Sequence, residues 1–216
     1  MTDPTLDEMR ATLAAELPYH AAFDGWTPVA LDLAASAKNI DPAVARLAFP
    51  GGTADMIDAW FAHVDVMMLA DLPPETLAAM KIRARITALV EARLALVGTE
   101  IEALRRALAV LALPQNLARA AKLNWRAADA MWRAAGDTAT DFNHYSKRAI
   151  LGGVYAATIM AMLADESEDR VDTRSFLGRR IEGIMRFEKV KARFSHSAPE
   201  RISFARFVGR LRYPAA

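Results

Sequence analysis

The chain has 216 residues, 53% of them apolar and 25% charged, with a formal net charge of +1, enough to bury a sizeable core as one domain or as one domain with a small appendage. There is no cysteine, and the four histidines (His20, His63, His144, His196) are scattered, which excludes disulfides, thiolate metal sites and the paired-histidine spacings of a metalloenzyme. The N-terminal Met-Thr-Asp-Pro-Thr-Leu-Asp-Glu has neither a basic stretch nor an apolar core, and the longest uncharged run, Ala149 to Ala164, is shorter than the ~18 residues a span needs, so the chain reads as neither secreted nor transmembrane.

Segments rich in Ala, Leu, Arg and Glu at helical spacing, broken by Pro and Gly, fill nearly the whole length, and none alternates with period two for long enough to make a strand. The prediction is all-α. Leu6 to Phe23 forms the first helix, and Thr27-Pro28 and Asp41-Pro42 open the next two as N-cap plus proline at the first helical position. A fourth runs from Thr53 or Asp55 through His63 to about Ala70. These short helices resemble the helix-turn-helix head of a TetR-type repressor, which leaves a ligand-responsive regulator as the alternative function. The chemistry argues against DNA: residues 1–70 carry three bases against ten acids, a net of −7, and the third helix offers the single cation Arg46.

Pro73-Pro74 ends the head, and one long helix is predicted over Glu75 to Val97, with Leu77, Ile82, Ile86, Leu89, Val90 and Val97 as its apolar stripe and Arg83, Arg85 and Arg93 mostly off it. A helix from Ile101 to Pro114 follows, then Leu117 to Ala135, closed by Gly136 in a left-handed conformation. Thr138 and Asp141 are read as a capping pair that opens the next helix, which runs to Leu163. Gly152-Gly153 inside that helix predicts the close approach of a neighbouring helix or a ligand. Asp165 to Asp169 reads as a solvated acidic loop, and Thr173 to Val190 as the last long helix, with Phe176, Leu177, Ile181, Ile184 and Phe187 inward. No nucleophile elbow, phosphate loop or dinucleotide fingerprint occurs, and acid pairs such as Asp55 and Asp58 read as a solvated helix face. The expectation is a binding protein without catalytic residues, metal or cofactor.

Two aromatic rings and an imidazole crowd into one turn at Phe142, His144 and Tyr145, and capping does not account for them. The run Ala-Gly-Asp-x-x-Thr-Asp-Phe-Asn-x-Tyr-x-x-Arg from Ala135 to Arg148, followed by Ala-Ile-Leu-Gly-Gly-Val-Tyr, resembles the lipid-binding accessory proteins of ubiquinone biosynthesis found in mitochondria and alphaproteobacteria. Lys81 to Leu94 and Leu-Pro-Gln-Asn at Leu113 to Asn116 carry the same resemblance, while His144 stands where some members have Trp. The resemblance implies a TetR-like fold of about nine helices plus a C-terminal amphipathic helix, divided into a head (1–72), a lipid-binding and dimerisation region (73–193) and a membrane-binding helix (199–213). Three interactions follow from it. An isoprenoid lipid or quinone intermediate would lie between the helices, against Trp132, Val154, Tyr155 and Met162; periodicity alone would make these an ordinary core. A demethoxyubiquinone hydroxylase would be met by Asp141, His144, Tyr145 and Arg148. The protein would be a homodimer that binds no nucleic acid and lies peripherally on the inner membrane, on the cytoplasmic side or, in a eukaryote, the matrix side.

The tail supports the last expectation by its own pattern. Arg174 to Tyr213 holds eleven bases against three acids, a net of +8. Within it Phe204, Phe207, Val208 and Leu211 follow i, i+3, i+4, i+7 spacing, with Arg206 and Arg210 nearly opposite, as an anionic membrane surface requires.

Overall fold

A computed structural model describes residues 4–140 and 142–196. Within them the chain forms ten α-helices and no strand: α1 (Leu6–Asp24), α2 (Pro28–Ala37), α3 (Pro42–Leu47), α4 (Thr53–Asp71), α5 (Pro74–Ala78), α6 (Ile82–Val97), α7 (Ile101–Leu111), α8 (Leu117–Ala134), α9 (Phe142–Leu163) and α10 (Val171–His196). Asp141 and the amphipathic stretch containing Phe204, Arg206, Phe207, Val208, Arg210 and Leu211 lie outside the described residues.

Local chemistry sets the first boundaries. Thr5 and Glu8 form a reciprocal capping box at the start of α1, and the Thr27 and Asp41 side chains accept from Ala30 and Ala43 N–H at the starts of α2 and α3. The head does not stand apart from the rest. Trp26, between α1 and α2, donates its indole N–H to the Ala103 carbonyl of α7 at 2.9 Å, and its ring lies 5.3 Å from Trp60, which stacks on Phe61. One continuous apolar core thus runs from Leu13 and Leu17 in the head to Met131 and Leu151 in the body.

The structure corrects the sequence reading in four places. The long helix expected over Glu75 to Val97 is two helices, interrupted at Ala79 to Lys81. Arg85 explains the break: its guanidinium donates to the Ala78, Met80 and Ala135 carbonyls, supplying partners to backbone acceptors that an unbroken helix would have satisfied itself. Arg93 is not off the apolar stripe but is among the most deeply buried side chains of the molecule, 2% exposed. Asp55 and Asp58 are not a solvated face, since Arg119 and Arg126 of α8 engage them. Thr138 does not open α9, which begins at Phe142. Gly136 does take a left-handed conformation, with φ 91°, and the chain leaves α8 there in order to return antiparallel as α9.

The acidic loop after α9 has Glu166, Glu168 and Asp169 exposed, as expected, and its Asp165 also has a structural role. Asp165 accepts hydrogen bonds from the backbone N–H and hydroxyl groups of both Ser167 and Thr173, which satisfies free amides at the start of α10. Those hydroxyls, with the two N–H groups, hold its carboxyl well below the usual carboxylate range.

Candidate functional site

Five helices leave a cleft where α8 and α9 meet α4, α6 and α7. Its volume is about 430 Å³, within the range that accepts a drug-sized ligand. Apolar side chains dominate the wall. Phe61, Leu123, Ala127, Tyr155 and Ile159 are buried along it, while Leu117 and Met160 are 55% and 62% exposed and form its mouth. Small residues make the space: Ala120, Ala121 and Ala127 line it from α8, with Ala120 and Ala127 two turns apart, across from Ala156 of α9.

Below the apolar wall sits a charged layer. Arg93 of α6 pairs with Asp65 of α4, and Arg126 of α8 bridges Asp65 to Asp58. The Arg93 guanidinium also faces the rings of Phe61 and Tyr155 at 5.9 and 5.3 Å. Burial pushes the Asp65 carboxyl upward against the pull of the two guanidiniums, and burial raises the Tyr155 phenol as well. Among the described residues, the Tyr155 hydroxyl and the Arg93 Nε are enclosed without a hydrogen-bond partner.

Of the four residues that the resemblance places against a lipid, Tyr155 alone lines this cleft. Trp132 is buried between α8 and α9, with its indole N–H donated to the Lys147 carbonyl at 3.0 Å. Val154 is half-buried against the core, and Met162 lines a separate hollow beside Arg170 and Leu177. The sequence reading missed Asn124 and the alanines, because small residues on a helix carry no signal until a second helix stands opposite them. Gly152 is where the predicted close approach occurs, as a Cβ there would come within 2.6 Å of the Asn124 amide nitrogen. Gly153 has open space.

The residues assigned to a protein partner separate into surface and interior. Tyr145 is 60% exposed and Trp125 37%, and with His144 they form a ring cluster at centroid distances of 5.1 to 6.5 Å. The His144 Nδ1 sits 3.0 Å from the Ala139 carbonyl. Arg148 is corrected by the structure: at 2% exposure, it is not available to a partner. Its guanidinium bonds Asp129, Asp137 and the His144 carbonyl, tying α8, the turn and α9 together.

The head carries three cations in residues 1–70, and each is engaged within the chain. Arg10 donates to the Ala48 and Asp55 carbonyls, Lys38 pairs with Glu16, and Arg46 of α3 pairs with Asp32. Among the described residues no helix is long and apolar enough to cross a membrane.

A family model described as COQ9 matches residues 117–188, which contain α8 and α9, the two walls that supply most of the cleft. Over 96 residues the chain is 45% identical to the rat mitochondrial ubiquinone biosynthesis protein COQ9 and 42% identical to the human one, covering 44% of this chain in each case. The matched segment spans only 31% and 30% of those two relatives. The corresponding protein of Schizosaccharomyces pombe is 26% identical over 139 residues, 64% of this chain and 55% of the relative. Among solved structures, a TetR transcriptional regulator from Nitrosomonas europaea superposes with a TM-score of 0.65 over 81% of this chain and 96% of that one, at 23% identity. That likeness concerns the fold alone, whereas α8 and α9 match by sequence; over this segment the chain is similar to the COQ9 proteins, and the whole has a TetR-like fold.

Proposed function

We propose that this protein serves ubiquinone biosynthesis as a non-catalytic carrier, holding an isoprenoid quinone or one of its intermediates in the α8–α9 cleft. The cleft carries the reading: it is apolar along its wall, opens at Leu117 and Met160, and is closed below by a charged layer that an apolar tail would not displace. The names of the relatives support the pathway. Mass spectrometry of an organic extract of the purified protein tests it, and an isoprenoid quinone or precursor is the expected content. Ala120 is half-buried on the cleft wall, so Ala120→Trp fills the space. That variant is expected to lose lipid about ten-fold or more while its melting temperature stays within a few degrees. Extracts without prenylated lipid, together with no uptake of added quinone, would remove the reading.

The exposed cluster of Trp125, His144 and Tyr145 supports a second part of the role, delivery of the bound lipid to a hydroxylase that docks there. Exposed aromatic rings beside a ligand cleft suit an interface anchor, and such anchors contribute about 2 kcal/mol or more. Tyr145→Ala is expected to weaken binding of the demethoxyubiquinone hydroxylase about 30-fold. Equal affinity for wild type and variant in surface plasmon resonance excludes Tyr145 from that interface.

A further inference from the structure

The cleft wall is apolar apart from Arg93, Tyr155 and Asn124. Asn124 projects from the middle of the α8 face, half-buried, and among the described residues its amide meets no hydrogen-bond partner. The buried Tyr155 hydroxyl and Arg93 Nε lack partners too, but they are sealed below the wall, whereas the Asn124 amide is not enclosed. Because it is open to the cleft, the amide can take a ligand oxygen without breaking a hydrogen bond inside the chain.

Its position is fixed from the other side. The backbone of α9 comes so close at Gly152 that any larger residue would force the Asn124 amide to move. The two helices run antiparallel, with Asp129 facing Arg148 and Asn124 facing Gly152. Leu117 and Met160 therefore lie about two turns away, at the opposite end of the cleft.

We propose that Asn124 is the head-group selector of this cleft: its amide hydrogen-bonds an oxygen on the ring of a prenylated quinone or phenol, which sets the ring at the Gly152 end and the tail toward Leu117 and Met160. The assignment rests on the lipid-carrier reading and adds to it a preferred ligand class and an orientation. An amide serves this purpose because it offers a donor to a quinone carbonyl or methoxy oxygen and an acceptor to a phenol O–H. Trp125, a member of the exposed aromatic cluster, follows Asn124 on α8 but projects about 100° round the helix, so a ring held at Asn124 lies at the level of the docking surface and about two turns from the mouth.

Two probes of equal tail length separate the claims: a dimethoxy-methyl-benzoquinone bearing a decyl chain, and decylbenzene, which has no oxygen. Affinities are read by equilibrium dialysis on the delipidated full chain. Wild type is expected to bind the quinone about ten-fold more tightly than the hydrocarbon. Asn124→Leu removes that preference by weakening the quinone while leaving decylbenzene unchanged or tighter. Asn124→Ala, which adds no bulk, gives the same loss of quinone, and Gly152→Ala reproduces it by displacing the amide. If the variants keep the wild-type preference, or wild type has none while binding both probes, Asn124 is not the selector and the lipid cleft stands. If neither probe binds wild type, the cleft reading fails and the assignment falls with it.

Discussion

Asp65→Ala is expected to lower the unfolding free energy by about 3–5 kcal/mol, the largest loss we assign to any single substitution in this molecule. The carboxylate is 8% exposed and its partner Arg93 only 2%. Truncation leaves a guanidinium below the cleft wall with two aromatic faces for company and no counter-charge within reach, since Asp58 is held by Arg126. The cost comes from the stranded charge more than from the lost bond. A double variant, Asp65→Leu with Arg93→Met, separates the two contributions, because it removes both charges and keeps much of the volume. It is expected to recover most of the loss. Urea midpoints of the three proteins decide the matter, and an Asp65→Ala variant within 1 kcal/mol of wild type would refute the argument.

Arg148→Met is the second large effect, expected at about 3 kcal/mol near neutral pH. The residue joins α8 through Asp129, the turn through Asp137 and α9 through the His144 carbonyl, at a point from which water is excluded. Acid discriminates this mechanism from simple loss of packing. Burial pushes the Asp137 carboxyl up, but hydrogen bonds from Lys147 and Arg148 outweigh it and hold the group below its ordinary range; at Asp129 burial is likewise outweighed, by Arg148 and Arg133. Carboxyls depressed in the folded state contribute stability that is complete above the unfolded value of about 3.9 and is lost as pH falls through the folded value. The wild type should therefore hold its stability from pH 7 to about pH 5 and lose it below about pH 4. In Arg148→Met the two carboxyls relax upward, so the gap between variant and wild type narrows in acid. Urea melts at pH 7 and pH 3 measure it, and a gap that stays constant would mean that Arg148 acts through packing alone.

Much of this fold was legible in the chain because its punctuation is strong. Thr27-Pro28, Asp41-Pro42 and Gly136 each fix a boundary by a local mechanism, and the structure has a boundary at each. The break between α5 and α6 was not legible, because its cause is Arg85 reaching a carbonyl 50 residues away at Ala135. The same limit hid the charged layer. Asp58, Asp65, Arg93 and Arg126 are individually unremarkable on amphipathic helices, and only the crossing of α4, α6 and α8 makes them partners. For the site, the motif located the helices that form the cleft but not the residues that line it. Large side chains attract attention in a sequence, and Trp132 and Met162 are used here as filling. The lining depends on what is missing at Ala120 and Ala127, and the approach of α9 on what is missing at Gly152; a missing side chain acquires meaning only from its neighbour.

The pairs Asp58 and Asp65 on α4, and Arg119 and Arg126 on α8, are each separated by seven residues, and with Asp55 they form a ladder between the two helices. Sliding α4 along α8 by one turn, about 5.4 Å, would carry Arg119 from Asp55 to Asp58 and leave Arg126 on Asp65 alone, so the ladder loses a rung in such a shift and re-forms the others. Three ion pairs tie this wall of the cleft, so if the cleft widens, the edge with fewer ties is expected to move first. That edge is the opposite one, because one solvent-exposed hydrogen bond, from Arg105 to the Leu163 carbonyl, is the polar tie recorded between α7 and α9 among the described residues. Breathing on loading should register as faster amide exchange in α7, with α4 silent.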